Sequence, residues 1–118
     1  MSSYHQIFIR SDRPREILIE DIDLAARVSL ADVSPRGDRT FWGAASRHTI
    51  VELEFSHRFD DDGQLDFESY PIALTIRDSG SDKARERQAA DQIFENLRRT
   101  GRYDLLYVYD LQELVRRS

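Results

Sequence analysis

The sequence predicts an α+β fold, a two-layer sandwich in which two helices cover one face of a mainly antiparallel sheet. Two amphipathic helical segments are separated by a run of strand-like segments, and a further strand-like segment precedes the first helix and follows the second. The chain has 118 residues, of which 40% are hydrophobic and 33% charged. That length and composition suit one domain with one core, spanning residues 1–118.

The first strand and helix are predicted from residues 5–26. HQIFIR at residues 5–10 is a short apolar run typical of a strand. Ser11 or Asp12 is expected to cap the helix that follows, with Pro14 in its first turn. Helical spacing then places four apolar residues on the buried side: Leu18, Ile22, Ala25 and Ala26.

Three strands are predicted in the middle of the chain, after a loop at residues 31–39. They cover residues 40–45, 48–56 and 70–78. In the second of them the apolar residues alternate with Glu52 and Glu54, which indicates a sheet with one buried and one solvated face.

The second helix is the clearest in the sequence. Ser81 or Asp82 can cap it and Gly101 can end it. A strand is predicted at residues 102–110, followed by a short terminal helix that begins at Asp110. The buried stripe of the second helix is Ala90, Ile93, Phe94 and Leu97.

The resulting order is β-α-β-β-β-α-β-(α). Such an order, with a crossover helix between the last two strands of the sheet, indicates a ferredoxin-like fold or a permuted relative of it.

The composition excludes several function classes. A net charge of −5 disfavours binding to nucleic acid. Since the chain has no cysteine, it has no disulfide and no thiolate metal site. It also lacks a signal peptide and an apolar run long enough for a membrane helix, so we expect a cytoplasmic protein without a membrane partner.

No catalytic, cofactor or metal motif is present. The three histidines, His5, His48 and His57, lack the spacing of a zinc site, and there is no G-x-S-x-G, G-x-G-x-x-G or P-loop sequence. We therefore predict no catalytic residues, no cofactor and no metal, and a protein that is not an enzyme. An enzyme that uses carboxylates is kept as a third possibility.

The segment FDDDGQLDFE at residues 59–68 is strongly acidic. It does not fit a calcium loop that begins at Asp60, because Gln64, Leu65 and Pro71 then occupy positions that need a ligand, a glycine and a glutamate. Its length exceeds that of a tight hairpin. It is either a solvated loop or an ordered acidic excursion that could receive a basic partner.

The sheet face away from the helices is predicted to mix aromatic and acidic side chains. If Ile7 and Ile9 are buried, Phe8 points outward, together with Glu52 and Glu54 on their strand. Tyr107 and Tyr109 are expected on the same surface. Because the face is acidic, a protein partner is favoured over stacked RNA bases. Alternatively, the terminal helix covers these aromatics through Leu111, Leu114 and Val115.

A small acidic α+β domain with these features resembles the immunity proteins that bacteria pair with polymorphic or contact-dependent toxins. The resemblance implies tight binding to a basic toxin domain, often a nuclease, by occlusion. The predicted partner-binding residues are Asp60, Asp61, Asp62, Asp66, Glu68, Glu52, Glu54, Tyr107 and Tyr109. The alternative is a small ligand-binding or regulatory ferredoxin-like domain that forms a homodimer through its sheet.

Overall fold

A computed structural model describes residues 4–32, 40–44, 48–55, 69–110 and 113–118. In chain order the elements are β1 (His5–Arg10), α1 (Arg15–Ala26), β2 (Ala31–Asp32), β3 (Thr40–Ala44), β4 (Thr49–Glu54), β5 (Ile72–Asp78), α2 (Lys83–Thr100), β6 (Asp104–Tyr109) and β7 (Glu113–Arg117).

The strands form one sheet in the order β2-β3-β4-β5-β1-β6-β7, and each neighbouring pair is antiparallel. Strand β1 lies in the centre, between β5 and β6. The four strands β6-β1-β5-β4, with α1 following β1 and α2 joining β5 to β6, have the ferredoxin-like arrangement. The predicted fold class is therefore confirmed, and β2, β3 and β7 widen the sheet at its two sides.

Helix α1 begins later than predicted. The carbonyl of Pro14 accepts hydrogen bonds from the N–H groups of Ile17 and Leu18, so Pro14 occupies the cap position and no side chain caps the helix. The predicted cap by Ser11 or Asp12 is wrong, since the Ser11 hydroxyl accepts from Arg13 N, 3.0 Å away, in the preceding turn. The predicted buried stripe is confirmed.

Helix α2 follows its prediction closely. Asp82 caps it, with its carboxylate accepting from Arg85 N at 3.1 Å, and Gly101 ends it at φ 67°, where glycine has no Cβ penalty. Its predicted apolar stripe is buried against the sheet. The helix packs over β1, β5 and β6, with α1 beside it.

The terminal segment is a strand and not the predicted helix. Strand β7 pairs with β6, with a register shift between Tyr107 and Val108, and Ser118 extends the pairing through two hydrogen bonds to Leu105. Asp110, the expected helix cap, instead has φ 55° in the turn between the two strands. The strand is favoured over a helix because it pairs with the backbone N–H and C=O groups on the outer edge of β6, which a terminal helix would leave unpaired.

Strand β1 is buried on both faces. Ile7 and Ile9 join the main core under the helices, whereas Phe8 belongs to a second apolar cluster on the opposite face. The predicted exposure of Phe8 is therefore wrong. The second cluster consists of Phe8, Tyr70, Ala73, Leu106 and Val108.

No helix in the described ranges is long and apolar enough to cross a membrane.

Candidate protein-binding surface

We call the side of the sheet opposite the helices the open face. One row of cross-strand neighbours runs the width of this face, and it consists of Trp42, Glu52, Thr75, Gln6, Val108 and Leu114. The middle of the row is buried, but Trp42 at one end and Leu114 at the other are 40% and 44% exposed. The open face is thus accessible at its two sides and closed in its centre.

The more extensive accessible region lies on β3 and β4, and we call it the β3–β4 wing. It consists of the open-face side chains Trp42, Ala44, Ile50, Glu52 and Glu54. Trp42 lies directly opposite Glu52, and Ala44 lies opposite Ile50. Tryptophan is enriched at protein interfaces, and polar groups commonly border the apolar centre of such a surface.

Gly43 holds the wing against the rest of the molecule. A Cβ at this position would collide with Val28 Cγ2 and lie 3.2 Å from the carbonyl oxygen of Ser29. The absence of a side chain therefore lets the segment after α1 cross directly over β3. Since Gly43 faces the helices, its neighbour Trp42 necessarily faces away from them.

The two carboxylates of the wing differ in their electrostatic surroundings. Glu52 is 30% exposed and forms an ion pair with Arg77 on β5, whose guanidinium also lies 5.6 Å from the ring centre of Tyr4. Within the described ranges, Glu54 forms no ion pair. Glu54 is consequently the wing carboxylate whose charge remains uncompensated.

The predicted site residues fall into three groups. Glu52 and Glu54 lie on the open face as predicted. Tyr107 and Tyr109 face the helices instead. The acidic residues of the 59–68 segment lie outside the described residues, namely Asp60, Asp61, Asp62, Asp66 and Glu68.

The predicted outward orientation of the two tyrosines is wrong. Tyr107 pairs with Ile7 across the sheet, so it faces the helices, has no exposed area, and donates a hydrogen bond of 2.7 Å to Asp91. Burial and this hydrogen bond raise the pKa of Tyr107 well above its ordinary value. Tyr109 is half-buried on the same side, with its ring centre 4.6 Å from that of His5.

Sequence reasoning did not identify Trp42 as a surface residue of interest. A signal was available, because the period of two in TFWGA places Phe41 and Gly43 on one face and Trp42 on the other. Phe41 is buried in the main core, which confirms that alternation.

A buried polar cluster, separate from the wing, lies at the end of the sheet where α2 begins. His5 Nδ1 is 2.5 Å from Glu86 Oε2, and both side chains are almost fully buried, at 3% and 1% exposure. The other oxygen of Glu86 accepts from the backbone N–H of Asp78 at 3.3 Å and from Lys83 Nζ at 3.5 Å. A histidine oriented by a carboxylate also occurs in catalytic sites, so its access to solvent decides its role.

Next to this pair, Asp78 accepts two hydrogen bonds from Arg85, at 2.6 and 2.8 Å, and one each from the N–H groups of Gly80 and Asp82. The Arg85 contact, aided by the two backbone N–H groups, holds the pKa of Asp78 well below its ordinary value although burial opposes this. The cluster is closed and its carboxylates have partners inside the protein. We interpret it as the junction that fixes α2 to β1 and β5.

Among the described residues, no group of three or more histidine or acidic side chains could hold a metal ion. No protein-family model matches the chain, and comparisons with curated proteins and with solved structures give no significant match. The resemblance to immunity proteins therefore stays a prediction.

Proposed function

We propose that this chain is a non-enzymatic protein-binding domain that contacts a basic partner through the β3–β4 wing. The observation that carries the proposal is the exposed indole of Trp42 on the open face, directly opposite Glu52.

Trp42 would supply most of the binding free energy. Tryptophan is enriched among interface residues whose truncation costs about 2 kcal/mol or more, because its large ring buries much apolar area with little loss of side-chain entropy. Ile50 and Ala44 lie beside it on β4 and β3 and would extend the apolar contact. The pleated sheet beneath holds these three side chains in fixed positions before the partner arrives, which lowers the entropic cost of association.

The charge of the wing favours a basic partner. Glu54 has no cation beside it in the described ranges, and the chain carries a net charge of −5. Such a charge distribution accelerates encounter with a cationic protein. The acidic residues Asp60–Asp62, Asp66 and Glu68 follow β4 in the sequence and would add to this attraction.

For the partner itself we propose a toxin domain of the polymorphic or contact-dependent type, which this protein would neutralise by occlusion. The support is the small acidic α+β domain and the resemblance to immunity proteins described above. A homodimer formed through the same wing is the alternative, and the size of the purified protein in solution separates the two.

The test first asks whether the gene directly follows one that encodes a large secreted protein with a variable C-terminal domain, and then co-expresses that domain with this chain. Protection of growth and binding by calorimetry would be measured for wild type, Trp42→Ala and Glu54→Arg. We expect the tryptophan variant to weaken binding about 30-fold or more. We expect the charge reversal to slow association, with a smaller effect at high salt.

Matched controls lie on helix α1, on the opposite side of the molecule. Leu24→Ala removes an apolar side chain that is 77% exposed, and Glu20→Arg reverses an exposed charge. Both control variants should bind as wild type does. Equal binding by wild type and Trp42→Ala would refute the wing as the contact surface, and the absence of any protection would refute the toxin partner.

A further inference from the structure

A groove with a volume of about 470 Å³ lies between the C-terminal end of α1 and the middle of α2. We call it the interhelical pocket. Its walls carry two arginines, Arg27 at the end of α1 and Arg99 on α2. The rest of the lining is mixed, with alanines and Ile93 beside the polar residues Thr49, Gln92 and Asn96. The volume is in the range of small-molecule sites.

Both arginines leave their charge available to the pocket. Arg27 forms no ion pair and no side-chain hydrogen bond with any other residue that the structure describes. Arg99 has one ion pair, at 3.6 Å from Glu95, whose carboxylate is already bound by Arg98. Two partly uncompensated guanidinium groups thus face one concavity on a protein of net negative charge.

The backbone at Arg27 adds a second observation. Its φ of 55° and ψ of 53° are left-handed, at a helix-ending position where glycine is strongly preferred. A side chain there costs free energy relative to glycine. The conformation ends α1 through the hydrogen bond from Val28 N to the Asp23 carbonyl, so glycine can replace Arg27 without disturbing the helix end.

A second groove of about 360 Å³, at the C-terminal end of α2, provides the contrast. It also contains two arginines, Arg10 and Arg102. Arg10 lies 2.9 Å from Asp104 and Arg102 lies 3.1 Å from Asp21. Each of these arginines has a shorter ion pair than Arg99 has, so the second groove offers less uncompensated positive charge to a ligand than the interhelical pocket does.

The floor of the interhelical pocket suits an apolar group. Ala25, Ala89 and Ile93 line it, and the amide of Asn96 donates to the carbonyl of Ala25 at 2.9 Å. That hydrogen bond satisfies one of the carbonyls at the end of α1, and the two guanidinium groups oppose the partial negative charge of the others.

We propose that the interhelical pocket binds a small organic anion, in which a carboxylate or phosphate is attached to a short apolar body. The anionic group binds Arg27 and Arg99, since guanidinium groups form strong hydrogen bonds with both oxyanions. The apolar body covers the alanines and Ile93. The site is independent of the protein-binding wing, which lies on the other face of the sheet.

The test is a titration followed by amide chemical shifts, with hexanoate and phenyl phosphate as probes and neutral hexanamide and inorganic phosphate as comparisons. We expect saturable shifts confined to residues 25–27, 49 and 89–99 with both organic anions. The affinity for hexanamide should be at least about tenfold lower than that for hexanoate, because the neutral amide cannot form charge-assisted hydrogen bonds. A preference for hexanoate or phenyl phosphate identifies the anionic group.

Three variants complete the design. Arg27→Gly suits the left-handed backbone and therefore keeps the fold, yet it should reduce affinity about tenfold, as should Arg99→Ala. The control is Arg87→Ala, which removes a half-exposed arginine of α2 that pairs with Asp91 outside the pocket. Equal titration of hexanoate and hexanamide, unchanged affinity of Arg27→Gly and Arg99→Ala, or no saturable shift would each overturn the proposal.

Discussion

Strand β1 and the β3–β4 wing belong to the same sheet but differ in what covers them. Both faces of β1 are buried, one by the helices and the other within the second apolar cluster. Strands β3 and β4 are fully buried only on the side that faces the helices, so the side chains of the wing are supported by the sheet beneath them and have few neighbours above them. Substitutions in β1 therefore disturb a packed core, whereas substitutions in the wing should cost little stability. The wing is therefore the better place for a binding surface whose side chains must match a particular partner.

The largest expected effect is a difference in the free energy of unfolding between variants of two aromatic residues, one in each region. Phe8→Ala should reduce the free energy of unfolding by about 3–5 kcal/mol, because it opens a cavity at a fully buried position. Trp42→Ala, a truncation of a still larger ring, should cost less than about 1 kcal/mol. Urea denaturation of both variants measures the difference, and similar losses would remove the distinction between the two regions.

A smaller loss is expected at the junction of β1 with α2. Glu86→Gln leaves His5 with a weaker, neutral partner in a buried place, which should cost about 1–3 kcal/mol. The control is Glu20→Gln on the exposed side of α1, which should be close to neutral. If both variants unfold at the same urea concentration, the buried pair does not stabilise the junction.

The attachment of the wing can be weakened at Gly43. Gly43→Ala places a methyl group against Val28 and the Ser29 carbonyl, so we expect a loss of about 1–3 kcal/mol from the strain of overpacking. Hydrogen exchange should accelerate in β3 and β4 more than in β1. Uniform acceleration across the sheet would show that the wing and the centre unfold as one unit.

The smallest expected effect is a change in how stability declines at acid pH. Because Arg85 holds the pKa of Asp78 below its ordinary value of 3.8, Asp78 stabilises the fold above that value and this stabilisation is lost as the pH falls below it. Glu95, whose pKa Arg98 lowers from 4.5 to about 2, acts in the same direction at the surface. Asp78→Asn should flatten the decline in stability below about pH 4, measured by thermal unfolding. If the stability of Asp78→Asn declines with falling pH as steeply as that of wild type, Asp78 does not contribute to acid unfolding.

Most features set by neighbouring residues were predictable from the sequence, the cap of α1 being an exception. The cap at Asp82, the end at Gly101 and the buried stripe of α2 all depend on local spacing, and all are found. The same holds for Glu52 and Glu54, whose alternation with apolar residues places them on the open face.

Features set by distant pairing were not predictable. The orientation of Tyr107 depends on its register with Ile7, 100 positions earlier in the chain, and an apolar run such as LLYVY has no polar residue that marks its outer face. The contact of His5 with Glu86 likewise joins residues 81 positions apart. The β7 segment was misassigned because its strand conformation depends on β6, which supplies the hydrogen bonds.

The outer edges of the sheet also determine how this protein can associate with itself. At one side β7 carries a register irregularity and the cationic side chains Arg116 and Arg117, and at the other side β2 has two residues within the part of the chain that the structure describes. Irregular, charged or very short outer strands are poor templates for a further strand. Growth of the sheet into fibrils by strand addition is thereby disfavoured. Any homodimer of this chain should accordingly form by contact between faces, with each sheet remaining seven strands wide.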